Sequence, residues 1–203
     1  MPRAGLTPTR VIEAGERIAD EVGLSNLTLA AVAERLGVRQ PSLYKHIAGT
    51  DGLQRGIAVR AKNELAGVLE RAAVGRARGN AIASMSQAYR EWALEHPGRY
   101  AAVQRAPVPG DVDDEIATGD VVRVALDVMA GYDLRDDDAI DAIRALRAAL
   151  HGFVTLEAGG GFGMPVDIDR SFERLVAGLA TAFARWSEDS VIEAGAVRPA
   201  SLS

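Results

Sequence analysis

Apolar residues recur along almost the whole chain at spacings of three and four, and nowhere does an apolar–polar alternation persist beyond a few residues. A repeat near 3.6 stacks side chains on one face of a helix, whereas a half-buried strand needs a repeat of two. The chain is therefore expected to be all-α. Its 203 residues suffice for one large or two modest domains, each with a core of its own.

The stripes place the helices. A first helix is expected from Pro8 to Val22, capped by Thr7, with Val11, Gly15, Ile18, Ala19 and Val22 facing inward and Gly23 ending it. A second follows Thr28 and buries Leu29, Val32, Ala33 and Leu36, with Gly37 as its stop. A short third helix opens at Pro41 and buries Leu43 and Ile47; a fourth starts after Thr50 and runs through Leu53, Ile57, Ala61, Leu65 and Val68. Past the break RAAVGRARGN, Asn80 is expected to cap a fifth helix carrying Ile82, Met85, Tyr89 and Trp92, which His96-Pro97 ends. A short sixth helix through Arg105, a loop over 106–118 and helices near 119–130, 137–158 and 169–187 complete the reading. The expected domains are 1–60, 61–187 and a flexible tail, 188–203.

Composition narrows the chemistry. Without cysteine there is no disulfide, zinc-thiolate site or cysteine nucleophile, and His46, His96 and His151 stand too far apart in sequence to share a metal. No metal, no cofactor and no catalytic residue is expected. No apolar run approaches ~18 residues, and the start MPRAGLTPTR lacks a leader's apolar stretch, so the expectation is a cytoplasmic protein with no membrane partner. Net charge is −5, unevenly spread: nine basic residues against six acidic ones through Lys62 leave that part at +3 and the remainder at −8. A basic head on an acidic body suits a protein that meets phosphate with one end.

That head contains TLAAVAERLGVRQPSLYKHI, residues 28–47. Two short helices joined by Gly-Val-Arg-Gln have the dimensions of a helix-turn-helix, with Gly37 supplying the positive φ that swings the second across the first. The outward residues of the second would be Arg39, Gln40, Ser42, Tyr44, Lys45 and His46, all hydrogen-bond donors and none acidic. A helix ~10 Å long fits a major groove ~12 Å wide. Two blander readings stand beside this one: Tyr44 packing on the first helix, and His46 acting as a helix-terminal cap.

Through Leu27-Thr28, Val32-Ala33, Leu36-Gly37-Val38, Ser42-Leu43-Tyr44 and His46, followed by a helix at Leu53, residues 7–60 resemble the tetracycline-repressor (TetR) family. The resemblance implies an N-terminal three-helix DNA-binding domain and a C-terminal helical domain for ligand binding and dimerisation. Tyr44 and His46 match phosphate-gripping positions, and Gln40, Pro41 and Ser42 match positions that meet bases. Arg39 and Lys45 fall at variable positions, where an Arg reads guanine or holds phosphate. Two departures matter. Thr50 stands where many members have a phosphate-binding lysine, leaving its hydroxyl and the helix N-terminus for that task. Ala30 and Ala31 stand where many carry a polar reader, leaving Thr28 as the polar contact of that helix.

Further on, IRALRAALHGFVTLEAGGGF and the helix FERLVAGLATAF are similar to a TetR-like C-terminal domain named for a Trp-His-Gly motif, here Leu150-His151-Gly152. The dimer candidates are Leu150, Phe153 and Val154 on one helix and Phe172, Leu175, Val176, Leu179 and Phe183 on the next, with Gly152 and Gly178 allowing close approach. Such stripes either complete the domain's own core or pack on their copies. Candidates for a small-molecule pocket are Met85, Tyr89, Trp92, Tyr100, Val103, Leu126, Met129 and His151, adaptable apolar walls with a few polar tips; plain core is the competing reading of each. The acidic runs at 111–115 and 136–138 lack calcium-loop spacing and precede helices, where acids favour the dipole. GGGFG has no strand before it and no Gly-Lys-Ser/Thr after it. The expected protein is a homodimeric repressor of palindromic operator DNA released by an apolar effector. Its rivals are a helical small-molecule binder with no DNA role, and an enzyme.

Overall fold

The computed structural model describes residues 5–196, and side chains up to Trp186. Among the described residues there are eight α-helices, two 3₁₀ segments and no strand, as the apolar period requires. The helices are α1 (Pro8–Val22), α2 (Leu29–Leu36), α3 (Gly49–Ala73), α4 (Arg78–Glu95), α5 (Pro97–Val103), α6 (Val112–Ala130), α7 (Asp136–Ala158) and α8 (Ile168–Ala196). The 3₁₀ segments are Leu24–Asn26 and Gln40–Lys45. No helix among the described residues is long and apolar enough to cross a membrane.

Local chemistry sets most of these ends. Thr7 Oγ1 accepts from the Arg10 N–H at 3.2 Å and Pro8 occupies the first turn of α1. Thr28 does the same for α2 through the Ala31 N–H, also at 3.2 Å. Three boundaries differ from the sequence reading. α4 opens at Arg78, so Asn80 lies inside it and caps nothing. α6 opens at Val112 rather than near 119, because Asp111 caps it, accepting from Asp114 N at 3.3 Å, and Asp113, Asp114 and Glu115 fill its first turn. α8 continues to Ala196, past the expected end at 187; residues 197–203 of the expected tail lie outside the described residues.

The chain divides into two contact units. The first comprises the described residues through Val68 together with Glu91–Val121; the second comprises Leu69–Arg90 together with the described residues from Val122 onward. In the first, Val11, Ile18, Val32, Leu43, Leu53 and Ile57 form the heart of one apolar cluster, which Ala102 of α5 joins. Val22, expected on the inner stripe of α1, is 49% exposed. It occupies the last position of its helix, beyond the reach of its neighbours.

α5 is seated on α1 by a close approach that only glycine permits. A Cβ on Gly98 would lie 2.1 Å from the Ala19 carbonyl carbon and 2.2 Å from its oxygen. Next to it, the Arg99 backbone N–H and Nε donate to the two carboxylate oxygens of Asp20 at 2.9 and 2.8 Å, and Nη1 donates to Glu64 on α3 at 2.7 Å.

In the second unit Arg90, 6% exposed, donates to Glu157 through two nitrogens and to Asp169 at 2.7 Å, with its guanidinium 4.9 Å from the Phe172 ring centre and 5.7 Å from that of Phe153. One buried cation thus ties α4 to α7 and α8 while stacking on both their aromatics.

Gly98→Ala is expected to lower unfolding free energy by about 1–3 kcal/mol or more, since backbone must move to admit the methyl. Gly119→Ala, on exposed α6 surface with nothing within 4 Å of the new Cβ, should raise it by roughly 0.5–1 kcal/mol. Urea unfolding of the two variants beside wild type checks both signs.

Candidate nucleic-acid interface

Gly37 turns the chain between α2 and the following segment at φ 66° and ψ 33°, its N–H bonding to Glu34 O at 3.0 Å and the Val38 N–H to Ala33 O at 3.0 Å. The segment beyond it is a 3₁₀ helix, Gln40–Lys45, rather than the expected α-turn. Pro41 withholds an N–H, and the ring is closed by three-residue bonds, Ser42 N to Arg39 O at 2.9 Å and His46 N to Leu43 O at 2.8 Å. Leu43 (0% exposed) and Ile47 (8%) anchor it in the apolar cluster. A three-residue period sets Arg39, Ser42 and Lys45 in one row along the segment.

The expected DNA-facing residues are on the surface. Thr28, Arg39, Gln40, Pro41, Tyr44, Lys45 and Thr50 are exposed, and Ser42 and His46 are half-buried. Tyr44 is 57% exposed, which rules out its packing on α1. His46 closes the 3₁₀ segment through its backbone N–H, and its imidazole has no partner among the described residues. Thr28 is first of all the N-cap of α2, which uses one hydroxyl lone pair and leaves its proton free to donate.

Charge pairing sets this row apart from most cations of the first unit. Five other cations of the first unit are matched within the chain: Arg35 with Glu21, Arg55 with Asp111 and Asp113, Arg60 with Glu16 and Glu13, Lys62 with Asp114, and Arg99 with Asp20 and Glu64. The Arg35 guanidinium holds the Glu21 carboxyl below its usual range by hydrogen bonding. Arg39 and Lys45 have no side-chain partner among the described residues. Positive charge counted along the sequence is thus left available where the segment projects. Asp111, Asp113 and Asp114, expected only as helix-dipole acids, also hold Arg55 and Lys62. The one trace of this in the sequence is a pair of cations seven apart on α3; their match to acids some fifty residues away is a tertiary fact.

The other candidates divide. Met85, Tyr89, Trp92, Tyr100, Val103 and Met129 are buried, and Leu126 and His151 half-buried. Trp92, Tyr100 and Val103 belong to the first unit, and Met85, Tyr89, Leu126, Met129 and His151 to the second. The Trp92 indole N–H is buried without a partner. A cleft of about 270 Å³ in the second unit, between Glu70, Arg78, Val124 and Gly131, includes none of the eight. Of the dimer candidates, Leu150, Val154, Phe172, Val176 and Phe183 are each under 5% exposed within the single chain. They fill its own core, the first of the two roles open to such stripes, and are corrected from dimer candidates to core. Phe153, Leu175 and Leu179 remain half-buried.

A helix-turn-helix whose projecting row carries unpaired cations, followed by a body built wholly of helices, defines the class of helix-turn-helix transcriptional regulators. Within it, the pattern of the family described as bacterial regulatory proteins, tetR family, matches residues 11–54, and that of the tetracyclin repressor-like C-terminal domain matches residues 82–179. The chain is 36% identical to the uncharacterized HTH-type transcriptional regulator Rv0681 of Mycobacterium tuberculosis over 90% of its own length and 84% of that protein's. It is 35% identical to YobS of Bacillus subtilis, another uncharacterized HTH-type transcriptional regulator, over 82% of its own length and 87% of the relative's. Its fold is that of a TetR variant from Acinetobacter baumannii AYE, solved in complex with minocycline, at a TM-score of 0.68, 21% identity and coverage of 90% and 99% of the two chains. The chain belongs to the tetR family of bacterial transcriptional regulators.

Leu43→Ala should cost about 2–5 kcal/mol in unfolding free energy, whereas Tyr44→Ala should stay within about 0.5 kcal/mol of wild type. A thermal or urea melt showing equal losses would return Tyr44 to the core.

Proposed function

We propose that the chain is a homodimeric repressor, acting in the cytoplasm, that binds a palindromic operator through Arg39–His46 and is released by a small, mostly apolar effector. The observation that carries this reading is the row Arg39–Ser42–Lys45 with Tyr44 beside it: surface side chains whose cations have no carboxylate partner among the described residues, beside five other cations that are paired. An unpaired cation on an anchored turn meets phosphate or a guanine edge without first breaking an internal ion pair. Gln40, Pro41 and Ser42 then face bases, Tyr44, His46 and Thr50 the backbone, and Thr28 donates from the start of α2. The domain division we adopt is a DNA-binding head, 1–60, and a body, 61–187, that dimerises and binds effector.

Two observations support the rest. Trp92 holds a buried N–H with no acceptor, a costly arrangement that a ligand with an acceptor would relieve, and the A. baumannii neighbour was solved with a small molecule. On α7 and α8, a Cβ added at Gly152 or Gly178 meets nothing of the same chain within 4 Å, leaving a small-residue face open to a second copy. Two copies then present their recognition segments to successive major grooves. The reading includes no catalytic step.

Purified protein offered a library of random duplexes should enrich a palindrome, with affinity that falls as salt rises. Against that duplex, Arg39→Ala and Lys45→Ala are each expected to weaken binding. Loss of a phosphate contact lowers the salt slope by about one, and loss of a guanine contact costs about 1–3 kcal/mol and relaxes one position of the site. Absence of any salt-sensitive sequence preference sinks the reading. In light scattering, Gly178→Trp should convert dimer to monomer with an unchanged circular-dichroism spectrum; a persisting dimer moves the interface elsewhere.

A further inference from the structure

The first unit contains a charged cluster that DNA contact does not use. Lys62 on α3 and Asp114 on α6 are 3% and 5% exposed, and Nζ donates to Oδ1 at 2.6 Å. Nζ also donates to Thr118 Oγ1 at 3.0 Å, while the Thr118 hydroxyl donates to the Asp114 carbonyl at 2.8 Å. Seven residues earlier on the same face of α3, Arg55 grips Asp111 with two nitrogens and Asp113 at 3.0 Å. Asp111 is itself the cap of α6, and hydrogen bonding from Arg55 holds its carboxyl below the usual carboxylate range. Two cations of one helix therefore hold the first turns of another, one at the surface and one in the interior.

A buried ion pair is a poor source of stability, because desolvating both charges offsets most of their attraction; apolar side chains of similar volume do as well. What such a pair has to offer instead is register. Apolar helices can rotate against each other by part of a turn at little cost, but a Lys62 turned away from Asp114 becomes a bare charge in a dry interior. The helix so held is the one that follows the recognition segment directly and whose Leu53 and Ile57 pack into the same cluster as Leu43 and Ile47. α3 and Gln40–Lys45 thus share one packed core, through which a rotation of α3 would reach the segment.

We propose that Lys62 and Asp114, completed by Thr118, are positioning residues, a buried pin that fixes α3 against α6 and thereby the angle at which the recognition segment meets DNA. The inference rests on the operator-binding reading above and assigns that reading's geometry to three residues that never touch DNA. α6 continues beyond residue 121 into the second unit, so the pin stands on a helix shared by the two units.

The test uses full-length protein, the duplex selected by wild type, and an unrelated duplex of equal length. Lys62→Met/Asp114→Leu replaces the pair by apolar side chains of similar size. Its unfolding midpoint should equal or exceed wild type, its affinity for the unrelated duplex should stay within about twofold, and its affinity for the selected duplex should fall by roughly tenfold or more. Partial unfolding would depress both duplexes together, so a selective loss marks positioning. Thr118→Val is the milder second variant, expected to lose about threefold on the selected duplex alone; it decides the matter should the double variant not fold. Selected-duplex affinity within about twofold of wild type, in the double variant or in Thr118→Val where that variant decides, overturns the pin and leaves the regulator reading standing. A wild-type protein that selects no duplex overturns the operator reading and the pin with it.

Discussion

Where α5 meets α1, two helix backbones lie closer than any Cβ allows, and the packing of the head follows from that contact. Gly98 makes it possible, with Ala19 carbonyl atoms 2.1 and 2.2 Å from where a methyl would sit. Arg99 then reaches both oxygens of Asp20 and on to Glu64, so one dipeptide joins α1, α3 and α5. Once α5 is seated, Ala102 closes the apolar cluster that also holds Leu43 and Ile47. The segment Gln40–Lys45 is short and bends through a 3₁₀ turn. Its rigidity comes from that cluster, because a short segment with poor hydrogen-bond geometry does not hold a helix alone.

On top of this packing lies an internal matching of charge. Arg35, Arg60, Lys62 and Arg99 are paired with acids from three different helices: Glu16, Asp20 and Glu21 on α1, Glu64 on α3 and Asp114 on α6. Arg39 and Lys45 have no such partner among the described residues. This reconciles a net charge of −5 with a function that needs positive potential at one place: acids engaged in internal pairs subtract little from the field at Arg39 and Lys45.

Much of the head is legible in the sequence because its signals are local. Thr7, Pro8, Thr28 and Gly37 act within a few residues of themselves, and the stripe of Leu29, Val32 and Ala33 needs only helical geometry to find its inner face. The places that differ share a cause. Asn80 has the chemistry of a cap, and a late start for α6 is as arguable from composition as an early one, until a specific carboxylate, Asp111, is seen to accept the amide of Asp114. The stripes of α7 and α8 read as own core or as a partner's surface because periodicity reports that a face is apolar without saying what covers it. Leu150, Val154, Phe172, Val176 and Phe183 are covered by their own domain.

By itself the sequence determined the all-α class, the helix-turn-helix and the donor-rich stretch from Arg39 to His46, since each depends on propensity, period or a cap spanning a few residues; the row of Arg39, Ser42 and Lys45 came with the 3₁₀ turn. Only the tertiary structure decided that Arg55 and Lys62 belong to acids on α6, that Gly98 must be glycine, and which apolar faces remain open. Those outcomes depend on distances between residues tens of positions apart, and such distances exist only once the chain has packed.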